Sequence, residues 1–171
     1  MRVALIASIV VSAVLMGACD SKSPPKGSPA ANESLDQVKG LLRGELAAVA
    51  TYEEAIKKND AHAWFPELNR ILGEHRDAVS RLKTRVTDLG GSADSGSGVW
   101  GGWTDLVAKA AAVLGDEPAR EALKAGERLG VQSYENALVN AKVDEATKGL
   151  IKDTLLVRTR EHVTALENLK K

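Results

Sequence analysis

The sequence predicts an all-α protein, a four-helix bundle made of two helical hairpins joined by a long crossover, and three observations carry that prediction. Ala, Leu, Glu, Lys and Arg dominate the body while aromatics make up only 4% of the chain, a composition that favours helix over sheet. Apolar residues recur three and four apart, so that Leu41, Leu42, Glu45, Ala48, Val49, Tyr52 and Ile56 share one helical face. The stretch from Gly44 to Ile56 also recurs, at an offset of 82 residues, as Gly126 to Leu138, with Gly, Glu, Val, Tyr, Glu and Ala in common.

The repeat is informative because it retains polar residues on a core face. Glu45 lies inside the first apolar stripe, and Glu127 lies inside its counterpart of Leu123, Val131, Tyr134 and Leu138. A carboxylate so placed needs a partner. A second repeated pair supplies candidates: Glu74-His75-x-x-Ala78 returns as Glu161-His162-x-x-Ala165 at an offset of 87. His75 continues the stripe of Leu68, Ile71 and Leu72, and His162 continues that of Ile151 and Leu155, so both imidazoles point inward.

A length of 171 residues with 44% hydrophobic and 27% charged residues suits one folded domain. Lys plus Arg equals Asp plus Glu at 23 each, which leaves no long-range field for steering toward nucleic acid, and no nucleic-acid partner is expected.

In chain order, Arg2 and the apolar run Val3 to Met16 have the form of a signal peptide, too short to span a bilayer comfortably. Met16-Gly17-Ala18-Cys19 resembles the lipobox of bacterial lipoproteins. The expected organisation is therefore a signal peptide at 1–18, lipidated Cys19 with a Ser/Pro/Gly-rich disordered tether over 19–33, and the bundle over 34–171. A cell-envelope location follows, with the protein anchored to a bacterial membrane and facing the periplasm. A homodimer is compatible with this placement. Ser34-x-x-Gln37 reads as a capping box that starts helix 1, which runs to about Lys58. Helix 2 begins near Ala63 with Pro66 in its first turn and stops at Gly90-Gly91. Residues 91–103 are too rich in Gly and Ser for a helix and reach roughly 40 Å when extended. With a short helix at 104–114 they form the crossover, in which Trp100 and Trp103 cover the bundle. Asp116 starts helix 3 and Asp144 caps helix 4. His62 is expected at the surface, and Glu53 and Glu135 on the helix flanks in salt bridges.

In an antiparallel hairpin, two residues stand level when the midpoint of their numbers falls in the turn. For Glu45 and His75 the midpoint is Asp60; for Glu127 and His162 it falls between Asp144 and Glu145. Each hairpin thus brings a core Glu level with a core His, and a two-fold packing of the hairpins brings together the donor set that a divalent transition metal uses. The candidate ligands are Glu45, His75, Glu127 and His162, with Tyr52 and Tyr134 as hydrogen-bonding supports behind them. The same residues could equally form metal-free Glu-His pairs.

A Glu with a Tyr seven residues on, then a Glu-His pair, a long crossover and the same series again resembles the ferritin-like superfamily of rubrerythrins and ferritins. More closely, Leu41-Leu42-Arg43-Gly44-Glu45, Thr51-Tyr52-Glu53 and Leu72-Gly73-Glu74-His75 resemble an uncharacterised bacterial ferritin-like family. The resemblance implies a ferritin-like bundle with iron, manganese or zinc at its centre. A full di-iron site takes a Glu-x-x-His from each of two helices, but Leu72 and Thr159 stand where those carboxylates belong. Glu74 and Glu161, rotated about 100° from their histidines, are expected to face away. No di-iron oxidase and no catalytic residue is therefore assigned, and a metal-free interaction module is the alternative to metal binding.

The lipobox reading has a direct test. Cys19→Ser leaves no thiol to acylate, so the variant should accumulate as unprocessed or soluble protein; a mature, lipidated, membrane-bound Cys19→Ser protein would remove the lipoprotein assignment.

Overall fold

A computed structural model describes residues 24–58, 63–92 and 116–169. The signal-like run with Cys19, the turn with His62, the tryptophans Trp100 and Trp103 and the short helix expected at 104–114 lie outside the described residues. Four helices make up the rest, with no strand among the described residues: α1 (Pro29–Lys58), α2 (Phe65–Asp88), α3 (Asp116–Val139) and α4, which comprises Glu145–Leu150, a π-helical turn at Ile151–Leu155 and Leu156–Asn168. No described helix is long and apolar enough to cross a membrane.

Local chemistry explains most of the helix ends. Helix α1 starts five residues before Ser34, at Pro29, where a missing amide proton costs nothing, and the Ala31 amide donates to Ser28 Oγ at 3.2 Å. Residues 29–33, expected as the end of the tether, are thus helical. Ser34 is no cap: it is fully buried, and its hydroxyl donates to Asp144 Oδ2 at 2.7 Å. Helix α2 has Pro66 in its first turn and closes at Gly90, whose φ of +87° is left-handed, with the Gly91 amide donating to Val86 O at 2.9 Å. A Cβ at Gly91 would sit 2.5 Å from Leu35 Cδ1, so a larger residue there would have to push the Leu35 side chain aside. Asp144 caps α4 as expected, accepting from the Thr147 amide at 3.1 Å.

Contacts at the two ends of the bundle fix the helix directions. At one end Asp144, before α4, meets Ser34 near the start of α1 and Arg85 near the end of α2, the latter at 2.8 Å. At the other end Arg120, early in α3, donates to Leu169 O just after α4 at 3.0 Å, and Leu123 packs with Trp64 and Ala55. Helices α1 and α2 are antiparallel, as are α3 and α4, while α2 and α3 run in the same direction. The segment joining α2 to α3 therefore connects opposite ends of the bundle, as its length predicts.

The apolar core is divided in two. One cluster, at the Asp144 end, includes Val38, Leu42, Leu82, Val86, Ile151, Leu155 and Tyr134. The other, at the Arg120 end, includes Ala55, Trp64, Leu68, Ile71, Leu72, Leu123, Leu166 and Tyr52. Between them lies a layer of buried polar residues, and each cluster contributes one tyrosine whose hydroxyl reaches into that layer.

Ser34, Arg85, Asp144 and Thr147 clamp one end of the bundle. The Arg85 and Asp144 side chains are 11% and 5% exposed, so breaking the pair leaves buried charge behind. Asp144→Ala should lower stability by about 3 kcal/mol in chemical denaturation. Glu53→Ala, which removes the exposed pair with Arg76, should leave the midpoint almost unchanged.

Candidate metal centre

The buried polar residues of the layer come one or more from each helix. Glu45 and Tyr52 project from α1, His75 from α2, Glu127 and Tyr134 from α3 and His162 from α4, and all six are buried. Both hairpin pairings expected from the midpoints are present: His75 Nδ1 lies 2.7 Å from Glu45 Oε2, and His162 Nδ1 lies 3.2 Å from Glu127 Oε2. The two pairs then meet across the bundle, with His75 Nε2 3.0 Å from Glu127 Oε1 and the imidazoles edge to face at a centroid separation of 4.9 Å.

The tyrosines cross over. Tyr52 donates to Glu127 Oε1 at 2.7 Å, and Tyr134 donates to Glu45 Oε1 at 2.5 Å, so each hydroxyl serves the carboxylate of the opposite hairpin. This reciprocity is the two-fold relation that the sequence repeat implies. All four oxygens of Glu45 and Glu127 thereby have partners, which is what two carboxylates removed from water require.

His75, Glu127 and His162 form the compact part of the site. One ligand atom from each lies within 4.8 Å of the other two, and all three residues are buried. Glu45 stands behind His75, on the ring nitrogen that faces away from Glu127. Of the four residues expected as candidate ligands, three place a ligand atom within 4.8 Å of the other two, and the fourth, Glu45, lies against the outer ring nitrogen of His75.

Glu74 departs from expectation. Its Oε2 lies 2.9 Å from His162 Nε2, across the gap between α2 and α4, and its Oε1 accepts from Arg70 one turn earlier. The helical-wheel argument that turned it away from the centre holds for its Cα but not for a side chain long enough to curl back between two helices. Its repeat partner Glu161 does face solvent. The positions that would carry carboxylates in a di-iron site are buried without one: Leu72 belongs to an apolar cluster, and the Thr159 hydroxyl donates to Leu155 O at 2.9 Å. Glu53 and Glu135 pair with Arg76 and Arg160 on the surface, as expected.

The electrostatics follow from this arrangement. Burial disfavours charge on His75, but attraction to Glu45 and Glu127 and hydrogen bonds to both outweigh it and raise its pKa to about 10. Burial likewise works against ionised Glu127, yet the charge of His75 and hydrogen bonds from His162 and His75 hold its pKa down at about 2. Burial, reinforced by Glu127 and Glu45 respectively, pushes the Tyr52 and Tyr134 hydroxyls well above their ordinary range, so both act as donors only. Burial of Glu74 is outweighed by hydrogen bonds from His162 and Arg70, which lower its pKa.

On the opposite side of the layer, between α1 and α3, a cavity of about 70 Å³ opens onto Glu45 and Glu127. Its walls include Gly40, Gly44, Ala48, Gly126 and Gly130. The missing side chains leave room beside the carboxylates that larger residues would fill.

The family described as a domain of unknown function (DUF2383) matches residues 33–140. That stretch carries Glu45, Tyr52, Glu74, His75, Glu127 and Tyr134 but stops before His162. No curated protein and no solved structure matches the chain.

The shifted groups set a pH window for the metal-free protein. A raised His75 pKa contributes stability below the unfolded value of 6.5 that is lost as pH climbs toward about 10. A depressed Glu127 pKa contributes stability above its unfolded value of 4.5 that is lost as pH falls toward about 2. Chelated protein should therefore melt highest between about pH 4.5 and 6.5 as far as these groups decide it. In His75→Gln the alkaline decline should flatten, which melting curves at a series of pH values would measure.

Proposed function

We propose that this chain, which belongs to that family of domains of unknown function, is a metal-binding helical bundle whose ion is held by His75, Glu127 and His162. The observation that carries the reading is the convergence of two imidazoles and a carboxylate, all buried, from three different helices. This donor set fits a first-row divalent ion such as iron, manganese or zinc. An ion held there would act as a Lewis acid in a water-poor core. The chain's own residues divide the remaining tasks: Glu45 orients His75 from behind, Tyr134 orients Glu45, and Tyr52 fixes Glu127. The cavity between α1 and α3 provides access to Glu45 and Glu127.

Several finer features belong to the same proposal. Two antiparallel hairpins joined end to end, with the polar layer at mid-bundle, support a ferritin-like topology. The absence of carboxylates at Leu72 and Thr159 argues for a reduced site of one ion rather than a di-iron oxidase centre, and no catalytic residue is proposed. The signal-like N-terminus with Cys19 supports a lipid-anchored protein of a bacterial envelope, facing the periplasm.

A second reading has its own observation. Both ring nitrogens of His75 lie within hydrogen-bonding distance of carboxylates, and the charge on its ring is favoured up to about pH 10, so the layer is satisfied as a metal-free ionic lock. Such a lock would fix the register of the helices in a structural or interaction module.

Melting curves decide between the two. With an ion at the centre, protein loaded with Fe²⁺, Mn²⁺ or Zn²⁺ melts higher than chelated protein as occupancy rises, and His75→Ala abolishes that difference. His75→Ala also costs the chelated form on the order of 1–3 kcal/mol, because buried carboxylate oxygens lose a donor. A wild type with no metal-dependent shift, purified without metal, would leave the ionic lock as the function of the layer.

A further inference from the structure

We propose that Glu74, braced by Arg70, is a positioning residue for His162: it engages Nε2 of the ring from outside the centre and so commits Nδ1 to face Glu127 and the bound ion. The proposal rests on the metal reading above and assigns a role to a residue that the repeat logic leaves out.

Each imidazole of the layer turns one nitrogen toward Glu127 and the other toward an outer carboxylate. For His75 these are Nε2 and Nδ1, and the outer carboxylate is Glu45. For His162 they are Nδ1 and Nε2, and strict two-fold symmetry would place Glu45 on its outer nitrogen as well. Glu45 is instead engaged by His75 Nδ1 and Tyr134, and Glu74 of α2 stands on the outer nitrogen of His162. An imidazole with one nitrogen engaged by a carboxylate has its ring orientation fixed, and the other nitrogen is left to the metal.

Arg70 makes the arrangement one-sided. It donates to Glu74 Oε1 and also pairs with Glu67, which holds the guanidinium over the Glu74 carboxylate. At the repeat offset of 87 the position equivalent to Arg70 is Val157, 45% exposed, and the residue equivalent to Glu74 is Glu161, which faces solvent. Only one of the two histidines is therefore held from the surface. Glu74 is also the most exposed carboxylate touching the layer, its side chain 25% accessible against 8% for Glu45 and 3% for Glu127.

The test is titration of the purified protein with Zn²⁺ and Co²⁺, reading affinity and the visible absorption of bound Co²⁺. Glu74→Gln should weaken binding by about tenfold to a hundredfold and shift the Co²⁺ bands, because His162 is no longer held in one orientation. Arg70→Gln should act in the same direction by a smaller factor, since the hydrogen bond of Arg70 toward the centre is to Glu74 rather than to His162, and it decides the matter if Glu74→Gln does not fold. Glu53→Gln, whose partner Arg76 has no link to the layer, should match wild type. Unchanged affinity and an unchanged Co²⁺ spectrum in Glu74→Gln and Arg70→Gln, with wild type binding normally, would overturn the positioning role while leaving the metal centre intact, even if melting temperatures fell. A wild type that binds neither ion would remove both.

Discussion

The carboxylate of Glu127 is the constraint on which the rest of the bundle depends. It projects from α3 into the centre of the molecule with 3% of its side chain accessible, and it meets every other helix there: Tyr52 of α1, His75 of α2 and His162 of α4. An ionised carboxylate without those donors would be too costly to bury. With them, the register of all four helices is set by one side chain, because sliding any helix by a single turn, about 5.4 Å, would remove a donor from it. The apolar clusters above and below tolerate approximate packing far better than this layer tolerates displacement.

The tyrosines show how the polar layer and the apolar clusters are reconciled. Each ring is counted among the apolar residues of one cluster, and each hydroxyl serves a carboxylate in the layer. No polar atom has to be carried into the hydrocarbon part of the core to satisfy the carboxylates. The ionic chemistry and the hydrophobic chemistry are in contact yet separated by the length of a phenol ring.

Much of this was legible in the sequence because it follows from periodicity. A glutamate inside an apolar stripe, repeated with its tyrosine, reads as a buried glutamate, and both are buried. The hairpin midpoints place Glu45 beside His75 and Glu127 beside His162 from residue numbers alone. Three features lay beyond that arithmetic. Ser34 looks like a cap because its spacing to Gln37 is that of a capping box, but its hydroxyl is used by Asp144, 110 residues away, a contact that no local pattern encodes. The Glu74 contact depends on a side chain bending back between helices, whereas a helical wheel describes where a side chain starts and not where it ends. The π turn at Ile151–Leu155 falls within an ordinary apolar stripe of Ile151 and Leu155 and carries no mark that periodicity would pick out.

The reciprocal contacts of the two tyrosines have a consequence for symmetry. A hairpin that presents a glutamate and a tyrosine to its neighbour, and receives the same pair in return, is self-complementary, which is the defining property of an isologous two-fold interface. Two identical separate hairpins could make both Tyr-to-Glu contacts and both Glu-His pairs. What they could not do is differ from one another. In a single polypeptide each hairpin is free to differ from the other, and the arginine at position 70, with valine at the matching position 157, is a difference that two identical hairpins could not hold. The lopsided grip on His162 is thus a departure from two-fold symmetry, laid over a contact pattern that symmetry alone would produce.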